Sequence, residues 1–136
     1  MGLPLPESAD RFREKYARGL GHVSHRVEYA ACGHALVNGY TTAEEAERLA
    51  AILNLGTGAR FLDLGSGQGW PGLRISEITG AHLVASDIPS DALVGARASW
   101  AATPSPAPAD FVSADGRLLP FTTGVFDAVV HADVFC

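Results

Sequence analysis

The stretch that decides the fold of this chain is FLDLGSGQGW, residues 61–70. Its first four residues suit a buried strand, and the remaining six hold three glycines at alternate positions. Glycine permits a tight turn and lets a ligand approach the backbone, because no Cβ stands in the way. Pro71 follows, and its fixed φ suits the first turn of a helix. The stretch therefore predicts a strand, a ligand-binding loop and a helix, the unit with which open α/β sheets bind adenosine-containing molecules.

Composition places the chain among compact globular proteins. Of its 136 residues, 47% are hydrophobic and 18% are charged, and the net charge is -5. This negative charge argues against a nucleic-acid partner, because duplex binding usually requires a basic face. The first residues lack the pattern of a signal peptide, and no apolar run approaches the roughly 20 residues of a membrane span. Cys32 and Cys136 match no disulfide framework or metal spacing. We therefore expect a cytoplasmic protein without a membrane or nucleic-acid partner.

The sequence predicts two parts, a polar helical lead-in or lid over residues 1–38 and an α/β unit over residues 39–136. Within the lead-in, residues 9–18 have the character of a helix. The α/β unit begins with another helix, which ends near residue 53 and carries an apolar stripe at helical spacing. Two threonines are suited to cap this helix and two glutamates to complete a capping box: Thr41 or Thr42 with Glu44 or Glu45.

Strands and helices alternate in the rest of the chain. Apolar runs predict strands at 60–64, 81–86, 110–114 and 126–132, with helices at 71–79 and 89–100. This alternation predicts an α/β fold with a mostly parallel sheet. The link between the last two strands, residues 115–125, is short for a crossover, so it has room for one helical turn at most while it passes over two strands.

Aspartates follow three of the predicted strands: Asp87, Asp115 and Asp133. The carboxyl ends of parallel strands lie along one edge of a sheet, where α/β proteins bind ligands. Asp87 comes about 20 residues after Gly67, the separation at which an acid meets a ribose. A carboxylate there accepts hydrogen bonds from both ribose hydroxyls, and Asp115, one strand further out, is placed to accept from an adenine amino group.

The glycine spacing separates two kinds of cofactor. A dinucleotide site uses G-x-G-x-x-G, which requires glycine where this chain has Trp70. The observed spacing is G-x-G-x-G, preceded by Asp63, whose charge repels a pyrophosphate and favours a cation such as the ammonium group of an amino acid. A nicotinamide-dependent oxidoreductase is therefore disfavoured.

These motifs resemble those of the class I S-adenosylmethionine-dependent methyltransferases, in particular the small-molecule type. The resemblance covers residues from about 39 onward and rests on three segments in order: DLGSGQG at 63–69, SDI at 86–88, and AD at 114–115 with LPF at 119–121 and FDAVV at 126–130. It implies methyl transfer from S-adenosylmethionine to a small-molecule acceptor. It also implies a Rossmann-like three-layer sandwich.

The same resemblance implies a set of cofactor-binding residues, but no catalytic base and no metal ligand. Either Tyr40 or Trp70 would face the sulfonium through a cation–π contact, and His131 would flank the reactive centre. The full set of cofactor-binding positions is Tyr40, Asp63, Gly65, Ser66, Gly67, Gly69, Asp87, Ile88, Ala114, Asp115 and His131.

Structural alternatives remain open for several of these residues. The glycines suit a tight turn without a ligand, Asp87 and Asp115 suit helix caps or turns, and Asp63 suits a bridge to the loop. Trp70 suits packing as well as cofactor contact. His22 and His25 have metal-like spacing without a clear third ligand, and either suits a general base on a lid helix.

The sequence ends at Cys136, after the predicted fourth strand, whereas members of the family continue with further strands and helices. From this difference we expect a truncated sheet with the fourth strand at its edge, completed by another chain or paired in a homodimer. An alternative function is a non-catalytic fragment or subunit that binds S-adenosylmethionine and needs a partner for activity.

Overall fold

The computed structural model describes residues 10–11, 14, 41–104, 107–132 and 134. The helices are α1 Ala43–Leu53, α2 Gly72–Thr79 and α3 Ser90–Ala101, and the strands are β1 Arg60–Leu64, β2 His82–Asp87, β3 Ala109–Ser113 and β4 Ala128–Val130. Of the predicted lead-in helix, Asp10, Arg11 and Glu14 are helical, and the rest lies outside the described residues. Within the described ranges, no helix combines the length and apolar character needed to cross a bilayer.

A capping box starts α1. The Glu45 amide donates to Thr42 Oγ1 at 3.2 Å, and the Thr42 amide donates to Glu45 Oε2 at 2.8 Å. Two of the orphan N–H groups of the first turn are thereby satisfied reciprocally. Of the four residues that the sequence offered for this box, the structure uses Thr42 and Glu45.

The four strands form one parallel sheet in the order β3-β2-β1-β4. The predicted parallel sheet is thus confirmed, and β4 occupies an edge of it in the described part of the chain. The connection from β3 to β4 crosses β2 and β1 without a helix among its described residues, as its short length predicts.

The fourth strand is shorter than the predicted 126–132. Phe126 packs edge-on against Phe121 of the preceding link, with 5.0 Å between ring centroids. Asp127 pairs with the first residue of β1: its amide donates to the Arg60 carbonyl and its carboxylate accepts from the Arg60 amide, both at 2.8 Å. These contacts give Asp127 a structural position at the start of β1.

The three described helices pack on one face of the sheet. Strand register places Phe61, Leu83 and Val130 on this face, where they form one buried cluster with Ile75 of α2 and Leu93 of α3. On the opposite face Leu62 is buried. The β3–β4 link reaches that face through Gly116, whose Cα lies near the Leu64 side chain. In the described residues this link, rather than a helix, occupies the third layer of the predicted sandwich.

Candidate functional site

The glycine loop after β1 is hydrogen-bonded to the end of β2. The amides of Gly65 and Ser66 both donate to the Ser86 carbonyl, at 2.8 and 3.0 Å, and the Gly69 amide donates back to the Ser66 carbonyl at 2.8 Å. Gly65 and Gly67 have φ of 71° and 54°, a region in which residues with a Cβ are strained. The alternating glycines therefore allow the chain to fold back onto the neighbouring strand.

Asp87 fixes this loop from the tip of β2. Its Oδ2 accepts from the Gly67 amide at 2.6 Å, and its Oδ1 accepts from the Ile88 amide at 2.7 Å. Burial raises the pKa of Asp87 above its usual value, while these two hydrogen bonds act in the opposite direction. A carboxylate has about four acceptor sites, so both oxygens retain capacity for a ligand hydroxyl.

The tip of β3 joins the same group of residues. The Ala114 amide donates to the Asp87 carbonyl and the Ser113 hydroxyl donates to the Ile88 carbonyl, both at 3.0 Å. Six of the predicted cofactor residues thus meet at one edge of the sheet, and we call them the strand-tip cluster: Gly65, Ser66, Gly67, Asp87, Ile88 and Ala114.

Asp63 lies beneath the loop on the helical side of the sheet. Its Oδ2 accepts from the Gly72 amide at the start of α2, at 3.0 Å, and its Oδ1 has no hydrogen-bond partner among the described residues. The side chain is buried, with 1% of the residue exposed, and a Cβ on Gly72 would overlap the carboxylate. This position matches the structural alternative for Asp63, a bridge from β1 to the following loop and helix.

The Asp63 carboxyl gives the fold a distinct pH dependence. Burial, with a smaller effect from the Asp87 charge, raises its pKa from 3.8 to about 7. The folded protein therefore binds more protons than the unfolded chain between these pH values, so the free energy of unfolding falls as pH rises from about 4 to about 7. Asp63→Asn cannot titrate. Across that range we expect the free energy of unfolding of the wild type to fall by on the order of 2–4 kcal/mol relative to that of this variant.

Urea unfolding of both proteins at pH 4, 5, 6, 7 and 8 measures this difference. Titration of groups other than Asp63 and its neighbour Asp87 is common to both proteins and cancels in the comparison. If the free energies of unfolding of the two proteins change in parallel over the whole pH range, Asp63 is already ionised in the folded state at acidic pH and the prediction is wrong.

Two of the loop glycines are required by packing. A Cβ on Gly65 would overlap Val134, and one on Gly69 would overlap Leu73 of α2 and approach Ala96 of α3. Gly69 therefore permits the loop to pack against both helices. Val134 covers Gly65 from the segment after β4, a contact that no local sequence signal indicates.

Trp70 packs against the first helix. The residue is 9% exposed, clusters with Ala46 of α1, and its Nε1 donates to the Thr41 carbonyl at 2.7 Å. The indole therefore packs against α1, which is the structural role that the sequence left open for Trp70. It also joins the glycine loop to the start of α1. Tyr40, the other aromatic candidate, lies outside the described residues.

Asp115 and His131 follow the tips of β3 and β4 at the same edge of the sheet. His131 is exposed, one residue beyond the pairing of Asp63 with Val130. Asp115 is engaged by Arg117, whose guanidinium and backbone amide donate to its carboxylate. These hydrogen bonds lower the pKa of Asp115 to about 2.

Buried hydroxyls beside the cluster have unused hydrogen-bonding capacity. Ser66 is 3% exposed and Ser86 is fully buried, and neither Oγ has a partner among the described residues. Buried polar groups of this kind are usually satisfied by a ligand or by water. The acceptors and unpartnered hydroxyls at this edge therefore fit a polar ligand with several hydroxyl and amino groups.

A cavity lies at the opposite, N-terminal edge of the sheet. Its volume is about 420 Å³, and its walls include Arg60 and His82 from the starts of β1 and β2 and Asp127 from just before β4. His82 is paired with Asp110 at 2.8 Å, and the Asp127 carboxylate accepts from the Arg60 backbone amide. Because its wall carries both positive and negative side chains, this cavity favours no particular class of ligand.

Several predicted positions lie outside the described residues: His22, His25, Cys32, Asp133 and Cys136. Within the described part of the chain, no three histidine, cysteine or acidic side chains are grouped in a way that could hold a metal ion.

Comparison with known proteins decides the family. A family model described as a methyltransferase domain matches residues 61–136, which is more than half of the chain. The chain belongs to this methyltransferase-domain family. The match begins in β1 and includes all six residues of the strand-tip cluster. A comparison with curated proteins found no significant match.

Solved structures share the fold of this methyltransferase domain. A methyltransferase from Thiobacillus denitrificans, in complex with S-adenosyl-L-homocysteine, is 24% identical over 71% of this chain and 37% of its own, with a TM-score of 0.52. A putative methyltransferase from Bacillus halodurans is 24% identical over 65% of this chain and 38% of its own, with a TM-score of 0.57. The cyclase SpnF is 21% identical over 94% of this chain and 50% of its own, with a TM-score of 0.63. The domain thus spans half or less of each of these chains.

Proposed function

We propose that this methyltransferase domain binds S-adenosylmethionine at the strand-tip cluster and takes part in methyl transfer to a small-molecule acceptor. The observation that carries the proposal is Asp87, a partly buried carboxylate that holds the glycine loop and keeps acceptor capacity at the ligand-binding edge of the sheet. The family match supports the reaction class.

Each part of the cluster has a chemical counterpart in such a ligand. The Asp87 oxygens would accept from the ribose hydroxyls, and Asp115 would accept from the adenine amino group. The glycine turn would let the ligand lie close to the backbone near Gly67. When bound, S-adenosylmethionine supplies an activated methyl group on its sulfonium.

Methyl transfer mainly requires the protein to align the two reactants and to exclude water. The strand-tip cluster would fix one reactant. We propose that residues 1–38 are a helical lead-in or lid; they precede α1, whose start Trp70 ties to the glycine loop. Residues 39–136 would then be the cofactor-binding part. The small-molecule acceptor is proposed from the resemblance to small-molecule methyltransferases, and the net charge of -5 argues against a nucleic-acid acceptor.

A second candidate is a non-catalytic domain that binds the same cofactor. The domain spans half or less of the three structural relatives described above, and one of these is known as a cyclase, so its fold is compatible with reactions other than methyl transfer. Binding and turnover therefore need separate tests.

Calorimetry with S-adenosylmethionine, S-adenosylhomocysteine and NAD tests the binding site. We expect micromolar affinity for the first two ligands and no measurable affinity for NAD, because Trp70 interrupts the dinucleotide spacing. Equal affinity for NAD would contradict the proposal. Incubation with methyl-labelled cofactor and a cell extract then distinguishes the candidates: a labelled small molecule supports catalysis, and binding without transfer supports the non-catalytic domain.

A further inference from the structure

We propose that Arg117 occupies the adenine-binding position of Asp115 in the unliganded domain, so that it competes with the base and lowers the preference for adenine that Asp115 confers. This inference rests on the proposed function, because it assigns Asp115 as the acceptor for the adenine amino group. It adds a specificity-determining residue that the glycine, Asp87 and Asp115 motifs do not include.

Arg117 uses both oxygens of the carboxylate. Its Nε lies 3.0 Å from Oδ1 and 3.0 Å from Oδ2 of Asp115, and its Nη2 lies 2.5 Å from Oδ2. The Arg117 amide also donates to Oδ1, at 2.9 Å. The acceptor capacity that an adenine amino group would use is therefore already largely engaged.

The pair forms within a short turn. Only Gly116 separates the two residues, and the Leu118 amide donates to the Asp115 carbonyl at 2.9 Å, which closes a turn. Loop closure over so short a distance costs little entropy, so the pair re-forms whenever the base leaves. The Arg117 side chain is 50% exposed, and an exposed ion pair is weak enough for a bound ligand to displace it.

The two side chains have opposite hydrogen-bonding preferences. A carboxylate accepts from the amino group of adenine, whereas a guanidinium only donates. Hypoxanthine carries a carbonyl oxygen in place of that amino group, so Asp115 repels it and Arg117 favours it. Removing Arg117 should therefore strengthen binding of the adenine ligand and not that of the hypoxanthine ligand.

Calorimetry on the full chain with S-adenosylhomocysteine and S-inosylhomocysteine tests this inference. We expect Arg117→Ala and Arg117→Gln to bind the adenine ligand about three- to fivefold more tightly than the wild type. S-inosylhomocysteine should bind both variants with the same affinity as the wild type, or more weakly. Arg48→Ala removes a matched exposed pair with Glu44 on α1 and should change neither affinity.

Unchanged or weaker binding of S-adenosylhomocysteine in both folded Arg117 variants would overturn the inference, and weaker binding would mean that Arg117 positions Asp115. Thermal unfolding of each variant establishes that it is folded. Absence of binding to the wild-type chain would instead reject the proposed function, and the inference with it.

Discussion

Asp87→Ala is expected to lower the affinity for S-adenosylhomocysteine by at least about 100-fold, because two hydrogen bonds from ribose hydroxyls to a charged acceptor are lost together. The substitution also removes the acceptor of the Gly67 amide, which leaves the glycine loop without its link to the tip of β2. One substitution thus removes the contacts with the ribose and also the anchor of the glycine loop. Calorimetry of the variant against the wild type measures the loss.

Two further variants define the source of this effect. Asp87→Asn keeps one acceptor oxygen and should lose less affinity than the alanine variant. Asp110→Ala removes an exposed carboxylate from β3, near the opposite edge of the sheet, and should bind as the wild type does. An affinity for Asp87→Ala within threefold of the wild type would show that the ligand does not use this carboxylate.

Gly69→Ala is expected to lower the free energy of unfolding by about 2–4 kcal/mol, since it combines two unfavourable effects. Its φ of 97° is strained for a residue with a Cβ. The added methyl group would also lie 2.5 Å from Leu73 Cδ1 and 3.3 Å from the Ala96 Cβ, in a packed region between α2 and α3. Urea denaturation monitored by circular dichroism measures the change.

Two other glycines separate backbone strain from steric overlap. Gly58 has nearly the same φ, 95°, but open space around its Cβ position, so Gly58→Ala reports the strain alone. Gly56 has neither a positive φ nor a neighbour within 4 Å, and Gly56→Ala should leave stability nearly unchanged. If Gly69→Ala costs no more than Gly58→Ala, the packing of the loop against the two helices is looser than described.

Local signals made much of the fold predictable from the sequence. The apolar run before the glycines predicted β1 with its observed bounds, 60–64, and the threonine–glutamate spacing predicted the capping box of α1. The predicted second and third strands are each displaced by one residue from β2 and β3. Such displacements arise because the ladder partner, rather than the strand's own sequence, decides where pairing begins.

Contacts between distant segments were not predictable in the same way. Asp63 and Asp87 are each among the last two residues of a strand, yet Asp63 is buried against Gly72 and Asp87 accepts from the Gly67 amide. Register puts both side chains on the face of Ala85, so the difference depends on position along the strand: Asp63 lies inside β1 beside the start of α2, and Asp87 lies at the tip of β2 beside the glycine loop. Val134 over Gly65 also depends on strand order, which the sequence does not encode locally.

The Arg117–Asp115 pair is a different case, because its signal was local. An aspartate followed by glycine is a turn signal, and a turn brings the residue after the glycine back to the carboxylate. The resemblance to a family directed attention to Asp115 as an adenine acceptor. Within this turn the Asp115 carboxylate accepts hydrogen bonds from Arg117.

The most direct test of the ligand site is a titration of the nitrogen-15-labelled chain with S-adenosylhomocysteine, followed by NMR of the backbone amides. Binding at the proposed site predicts that the largest shifts occur in the strand-tip cluster, above all at Gly67 and Ile88, whose amides donate to Asp87. Shifts confined to the cavity at the N-terminal edge, around His82, would contradict it, as would an unchanged spectrum at saturating ligand concentration.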